Sequence, residues 1–132
     1  LTKEQLTNLS VQVEEQLAEL ESSAVMRKGL QDEFEKLSKQ RKAIEGIVKE
    51  DSDSFLRKFA GKAKGVICDA NSDLHKQYEV FGGLKKDEVL DKFAALLAVM
   101  EFSGIALSVL TVAITVYVLH IGIKKFSEKY CE

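Results

Sequence analysis

The side chains able to do chemistry in this chain are few and far apart. His75 and His120 lie 45 residues from each other, and neither has a second ligand at metal-binding spacing. His120 sits within an apolar stretch, where it could ligate a porphyrin or chlorophyll metal; a hydrogen-bonded interfacial histidine is the simpler expectation. Cys68 and Cys131 are the two cysteines. Free thiols are the default for them, with Cys131, close to an expected membrane surface, open to acylation or bridging. Carboxylates are abundant but fall at helical spacing to bases, as in Glu35–Lys39 and Glu45–Lys49, which supports helices rather than proton transfer. There is no Walker loop, no GxGxxG after a strand, no HExxH and no CxxC. The residues therefore predict no catalytic site, metal, cofactor or small-molecule substrate, and an enzyme is not expected.

Composition bounds what remains. The 132 residues are one domain, or a small domain plus an anchor, with 45% hydrophobic and 30% charged residues. That balance argues against disorder. The mean hydropathy of −0.08 hides an uneven distribution, because apolar residues concentrate near the C-terminus. Proline and tryptophan are absent; ordinary usage would supply roughly six or seven prolines. Helices can then run without interruption, and turn-dense β folds are disfavoured. A net charge of −2 argues against nucleic acid as a partner. The first residue is Leu1 rather than methionine, as expected of a processed form or a fragment.

The elements follow from periodicity. Leu6, Leu9, Val13, Leu17, Leu20, Ala24, Arg27, Leu30, Phe34, Leu37, Arg41, Ile44 and Val48 are each three or four residues apart, averaging 3.5. This is the seam of a coiled coil or helical hairpin over 1–50. The two arginines in it must snorkel or find carboxylates. Residues 1–24 carry −4 and residues 25–50 carry +2. Such halves suit antiparallel folding about 22–29, or staggered pairing with another chain, although charges on solvated faces look the same.

Residues 51–83 read as amphipathic helices and a loop. Asp51-Ser52-Asp53-Ser54 ends in a cap for a helix over 55–68. Phe55, Leu56, Phe59, Ala60, Ala63, Val66 and Ile67 share one side of it, with Arg57, Lys58, Lys62 and Lys64 on the other. The cations could lie on an anionic membrane, though packing of the apolar stripe on the first helices explains the pattern equally well. Gly61 and Gly65 suggest close packing there. A short helix over 69–80 is capped by Asn71 or Ser72, and Gly82-Gly83 breaks the chain.

Residues 84–132 read as a helix running into a single membrane span over 102–123, then a short basic tail with Lys124 and Lys125. The 22 residues of 102–123 would cover about 33 Å as a helix, against a hydrocarbon core of about 30 Å. Glu101, Gly104, Ser108, Thr111, Thr115 and Gly122 fall on one stripe where another helix, or a copy of this one, can approach. The alternation of Val112, Ile114, Val116 and Val118 with Thr111, Ala113, Thr115 and Tyr117 also fits a strand. A lone strand in lipid leaves an open edge, which disfavours it.

The fold class expected is all-α: a long coiled coil or hairpin, shorter helices and one C-terminal transmembrane helix. The function expected is a non-catalytic, membrane-anchored accessory or scaffold subunit of a larger complex. Its partners would be the lipid bilayer and other membrane subunits or itself; flanking lysines leave orientation and compartment undetermined. The first alternative is a helical pore-forming or membrane-inserting protein with a water-soluble bundle form that covers its apolar segment. The second is a tether or fusion coiled coil, disfavoured because about fifty residues separate coil from anchor.

Overall fold

A computed structural model describes residues 2–27 and 37–131 of the chain. Seven α-helices and one π-helical turn make up these residues, with no strand among them. They are α1 (Lys3–Arg27), α2 (Ser38–Val48), α3 (Ser52–Lys62), the π turn (Lys64–Cys68), α4 (Asp73–Phe81), α5 (Lys86–Val99), α6 (Gly104–Ile121) and α7 (Ile123–Tyr130).

Local chemistry starts several of these helices. Thr2 and Gln5 cap α1 reciprocally: Gln5 N–H donates to Thr2 Oγ1 at 3.1 Å, and Thr2 N–H donates to Gln5 Oε1 at 3.0 Å. The Asp51 carboxylate accepts from Ser54 N–H at 3.2 Å and opens α3, three residues earlier than the expected start. Ser72 accepts from His75 N–H at 3.3 Å and opens α4. The helix expected over 55–68 is α-helical only to Lys62, then continues as the π turn. Gly61 and Gly65 pack against nothing: a Cβ at either would meet no atom within 4 Å.

α6 is apolar on every side, and such a helix must be surrounded. α1, α2 and α5 lie against it, and α7 packs on its C-terminal end. Leu9, Val13 and Leu20 of α1, Leu37, Ile44 of α2, and Val89, Leu90, Phe93 and Leu97 of α5 join one core with residues 110–118 of α6. Phe59 and Phe93 meet edge to face at 5.2 Å between centroids.

The 3.5-residue seam therefore faces a shared central helix, and no coiled coil forms among the described residues. Leu6, Leu17 and Val48 pack partly buried beside Leu9, Val13, Leu20, Leu37 and Ile44, while Leu30 and Phe34 lie outside the described residues. The reversal expected at 22–29 is helical as far as Arg27. Side chains tie α1 to α2: Gln40 Nε2 donates to Gln16 Oε1 at 2.8 Å and Lys39 reaches Glu19 at 3.1 Å. Lys39 thus pairs across helices as well as lying four residues from Glu35, and Glu45 accepts from Ser52 N–H at 3.0 Å.

α5 does not run straight into α6. The chain turns at 100–103, with Glu101 in the left-handed region at φ 75° and Gly104 following at φ 61°. At its other end α6 stops at Gly122, whose φ of 90° and ψ of 150° suit only glycine. The helix is thus 18 residues, about 27 Å, slightly shorter than the 102–123 span expected. The alternation at 111–118 that fits a strand is helical.

Thr115 places a defect in this core. The Thr115 hydroxyl is fully buried with no hydrogen-bond partner among the described residues. An unsatisfied buried hydroxyl costs about 1–3 kcal/mol, and a methyl of the same shape removes that penalty. Thr115→Val is therefore expected to raise the urea unfolding free energy by about 1 kcal/mol; an unchanged or lower value would show that the hydroxyl is satisfied.

Candidate membrane-interaction unit

α6 is the one helix among the described residues long and apolar enough to cross a membrane, and 56% of it is buried. Its burial is uneven. Residues 110–118 are all buried, whereas Ile105 at the N-terminal turn is 83% exposed. Val99, just across the turn on α5, is 77% exposed. Phe102 between them is half-buried and stacks edge-on to Phe55 at 5.8 Å.

The C-terminal end of α6 is held by a polar chain and a covalent bond. Tyr130 of α7 donates its phenolic proton to Asp53 Oδ1 at 2.8 Å. With that proton committed, Tyr117 of α6 donates to Tyr130 Oη at 2.6 Å. Asp53 also takes Arg41 Nη2 at 3.3 Å, and Arg41 Nε donates to Ser52 Oγ at 3.2 Å. One connected network thus ties α2, α3, α7 and α6. It also answers what Arg41 does in an apolar seam: it finds a carboxylate. Tyr117, Phe126 and Tyr130 stack around this network, with Phe126 and Tyr130 at 4.8 Å. Beyond it, Cys68 and Cys131 form a disulfide with 5.7 Å between Cα atoms, which replaces the free thiols expected.

Burial, and then the hydrogen bonds to Tyr117 and Asp53, push the Tyr130 phenol well above its ordinary value of 10.0.

The predicted residues come together only in part. Arg57, Lys58, Lys62 and Lys64 are exposed on α3 and the π turn, and Lys124 and Lys125 are exposed on α7. α3 and α7 pack on each other, so these two basic sets sit on adjoining elements. Lys58 pairs with Glu50 at 3.0 Å. Of the stripe, Glu101 and Gly104 are exposed at the α5–α6 turn and Ser108 is half-buried. Thr111 and Thr115 are fully buried, and Gly122 is half-buried beside the Tyr78 ring. Thr111 donates to Leu107 C=O at 2.7 Å, so its hydroxyl is satisfied within the helix. His75 Nε2 lies 2.5 Å from Ile67 C=O, a structural bond holding α4 to the π turn. No group of three His, Cys, Asp or Glu that could hold a metal occurs among the described residues. The Asp53–Tyr130–Tyr117 chain was invisible in the sequence, because its members are 77 and 13 residues apart.

The arrangement defines a helical bundle built around one membrane-length helix, suited to helix–helix contacts. The chain matches no protein-family model, no curated protein and no solved structure, so its class rests on this geometry.

The Tyr130 shift has a definite sign. A phenol whose folded pKa is raised keeps its proton while the unfolded chain loses one, so stability is full below about pH 10 and falls as pH rises beyond it. Alkaline unfolding of the wild type should steepen above about pH 10. Tyr130→Phe should flatten that slope and lower stability near neutrality by about 1–2 kcal/mol. Identical pH profiles would remove Tyr130 from the network.

Proposed function

We propose that the chain is a non-catalytic, membrane-associating helical bundle. It covers its membrane-length helix with its own amphipathic helices and releases that helix into a bilayer, working through helix–helix and helix–lipid contacts. The observation that carries this reading is the burial of residues 110–118 on every side by α1, α2, α5 and α7.

Magnitudes favour a bilayer as the destination. Leu110, Val112, Ile114, Val116, Tyr117 and Val118 are fully or almost fully buried. At about 2 kcal/mol each, exposing the six to water would cost on the order of 12 kcal/mol. That equals the whole stability of a typical domain. Hydrocarbon removes this cost, since lipid chains are as apolar as a protein core. The backbone of α6 is satisfied within the helix, as the bilayer requires. The disulfide supports an oxidising compartment such as a periplasm, secretory lumen or extracellular space.

A second reading is the permanently anchored accessory subunit. The exposed apolar turn at Val99 and Ile105, beside Gly104, favours it as a place where a partner helix would sit.

Solubility and vesicle release separate the two. The bundle reading expects purification without detergent and leakage of dye from phospholipid vesicles; a chain obtained only in detergent, with copurifying subunits, would contradict it. Under the second reading, Gly104→Ile or Ser108→Leu should weaken assembly far more than Val109→Leu, as read by copurification. Equal effects would dismiss the packing stripe.

A further inference from the structure

A cleft opens beside the disulfide, lined by Arg57, Gly61, Lys64, Cys68, Tyr130 and Cys131, with a volume of about 350 Å³. Two segments more than sixty residues apart build it, and the bridge and the Tyr130–Asp53 bond hold them together. The Arg57 guanidinium lies 6.0 Å from the Tyr130 ring centroid and the Lys129 ammonium 5.8 Å from it, so cations flank the ring. The nearest carboxylate in the network, Asp53, is already occupied by Tyr130 and Arg41. Arg57 and Lys64 have no carboxylate partner among the described residues. The lining carries no acidic side chain, and Gly61 leaves its floor open.

From this juxtaposition we infer that the cleft binds the phosphate-bearing headgroup of an anionic phospholipid, docking the bundle on a membrane before α6 leaves it. Arg57 supplies a planar fork and Lys64 a point charge, the pair of donors a phosphate takes. The apolar ring of Tyr130 and the bridge sulfurs suit the glycerol side of a lipid better than a free, fully hydrated anion. The exposed lysines of α7, Lys124 and Lys125, follow directly on the membrane-length helix, so a headgroup held here lies on the element covalently joined to α6. Charge complementarity thus selects the lipid surface, and the inference rests on the membrane-associating reading above.

The test is flotation of the intact, oxidised chain with vesicles of phosphatidylcholine alone or with added phosphatidylglycerol. Wild type should partition more strongly onto the anionic vesicles, and less so as salt rises. Each neutralised cation should weaken binding about fivefold, so Arg57→Gln with Lys64→Gln should lose about twenty-five-fold, while Lys3→Gln with Lys76→Gln loses little. Gly61→Met keeps every charge but fills the cleft, and should also weaken binding; Arg57, Gly61 and Lys64 are all exposed, so circular dichroism should show the fold retained. Equal binding by the Arg57/Lys64 and Lys3/Lys76 pairs, or full binding by Gly61→Met, would overturn the cleft and leave membrane association standing. Equal uptake by the two vesicle types would do the same. Tighter binding to a random-sequence oligonucleotide than to anionic vesicles would overturn the lipid as occupant. No uptake by either vesicle would overturn the membrane reading and the cleft together.

Discussion

A helix with no polar face cannot stand in water, and the helices packed on α6 are arranged around that constraint. α6 supplies the centre, and α1, α2 and α5 each turn one apolar stripe toward it. Those helices are amphipathic because one side meets α6 and the other meets solvent. The polar network of Arg41, Asp53, Tyr130 and Tyr117, with the disulfide behind it, then fixes the one end of α6 that a short helix covers. Cover over the opposite end is thinner, where Ile105 and Val99 meet solvent.

Under the proposed function, the bundle and a bilayer are competing solvents for the same residues. The balance between them rests on modest terms, because the large hydrophobic term is nearly equal in both. What differs is the rest: the packing of α1, α2 and α5 on α6 and the Tyr117–Tyr130 hydrogen bond, while the Cys68–Cys131 bridge stays closed in either medium. Exposed ion pairs such as Lys39–Glu19 contribute little to it. Under the proposed release, these terms decide whether α6 stays in the bundle or enters a bilayer.

Much of the architecture was legible in the residues, and the parts that were not share a physical reason. All-α content followed from missing proline and strong periodicity, and a cap at Asn71 or Ser72 followed from polar side chains before a helical pattern, with the structure assigning it to Ser72. The membrane-length segment stood out by hydropathy alone. Its surroundings did not, because leucine and valine read the same whether lipid or protein covers them. The 3.5-residue seam at Leu9, Val13, Leu20, Leu37 and Ile44 was equally ambiguous: periodicity tells which face is buried but not against what. The turn at Glu101 was missed because a charged residue at positive φ carries no local signature. The cysteine pairing and the Asp53–Tyr130 bond depend on long-range chain reversal, which spacing cannot reveal. The two basic sets, at 57–64 and 124–125, were visible separately, and only the fold packs their helices on each other.

Residues 110–118 are covered by the chain's own helices, and the rest of the structure depends on that cover. Methyl-labelled protein in detergent-free buffer tests it most directly, through nuclear Overhauser contacts from the valine, leucine and isoleucine methyls of α6. The account predicts contacts to methyls of α1 and α2 and to the Phe93 ring. Methyls of α6 that show contacts only to detergent or lipid chains, with none to α1 or α2, would contradict it.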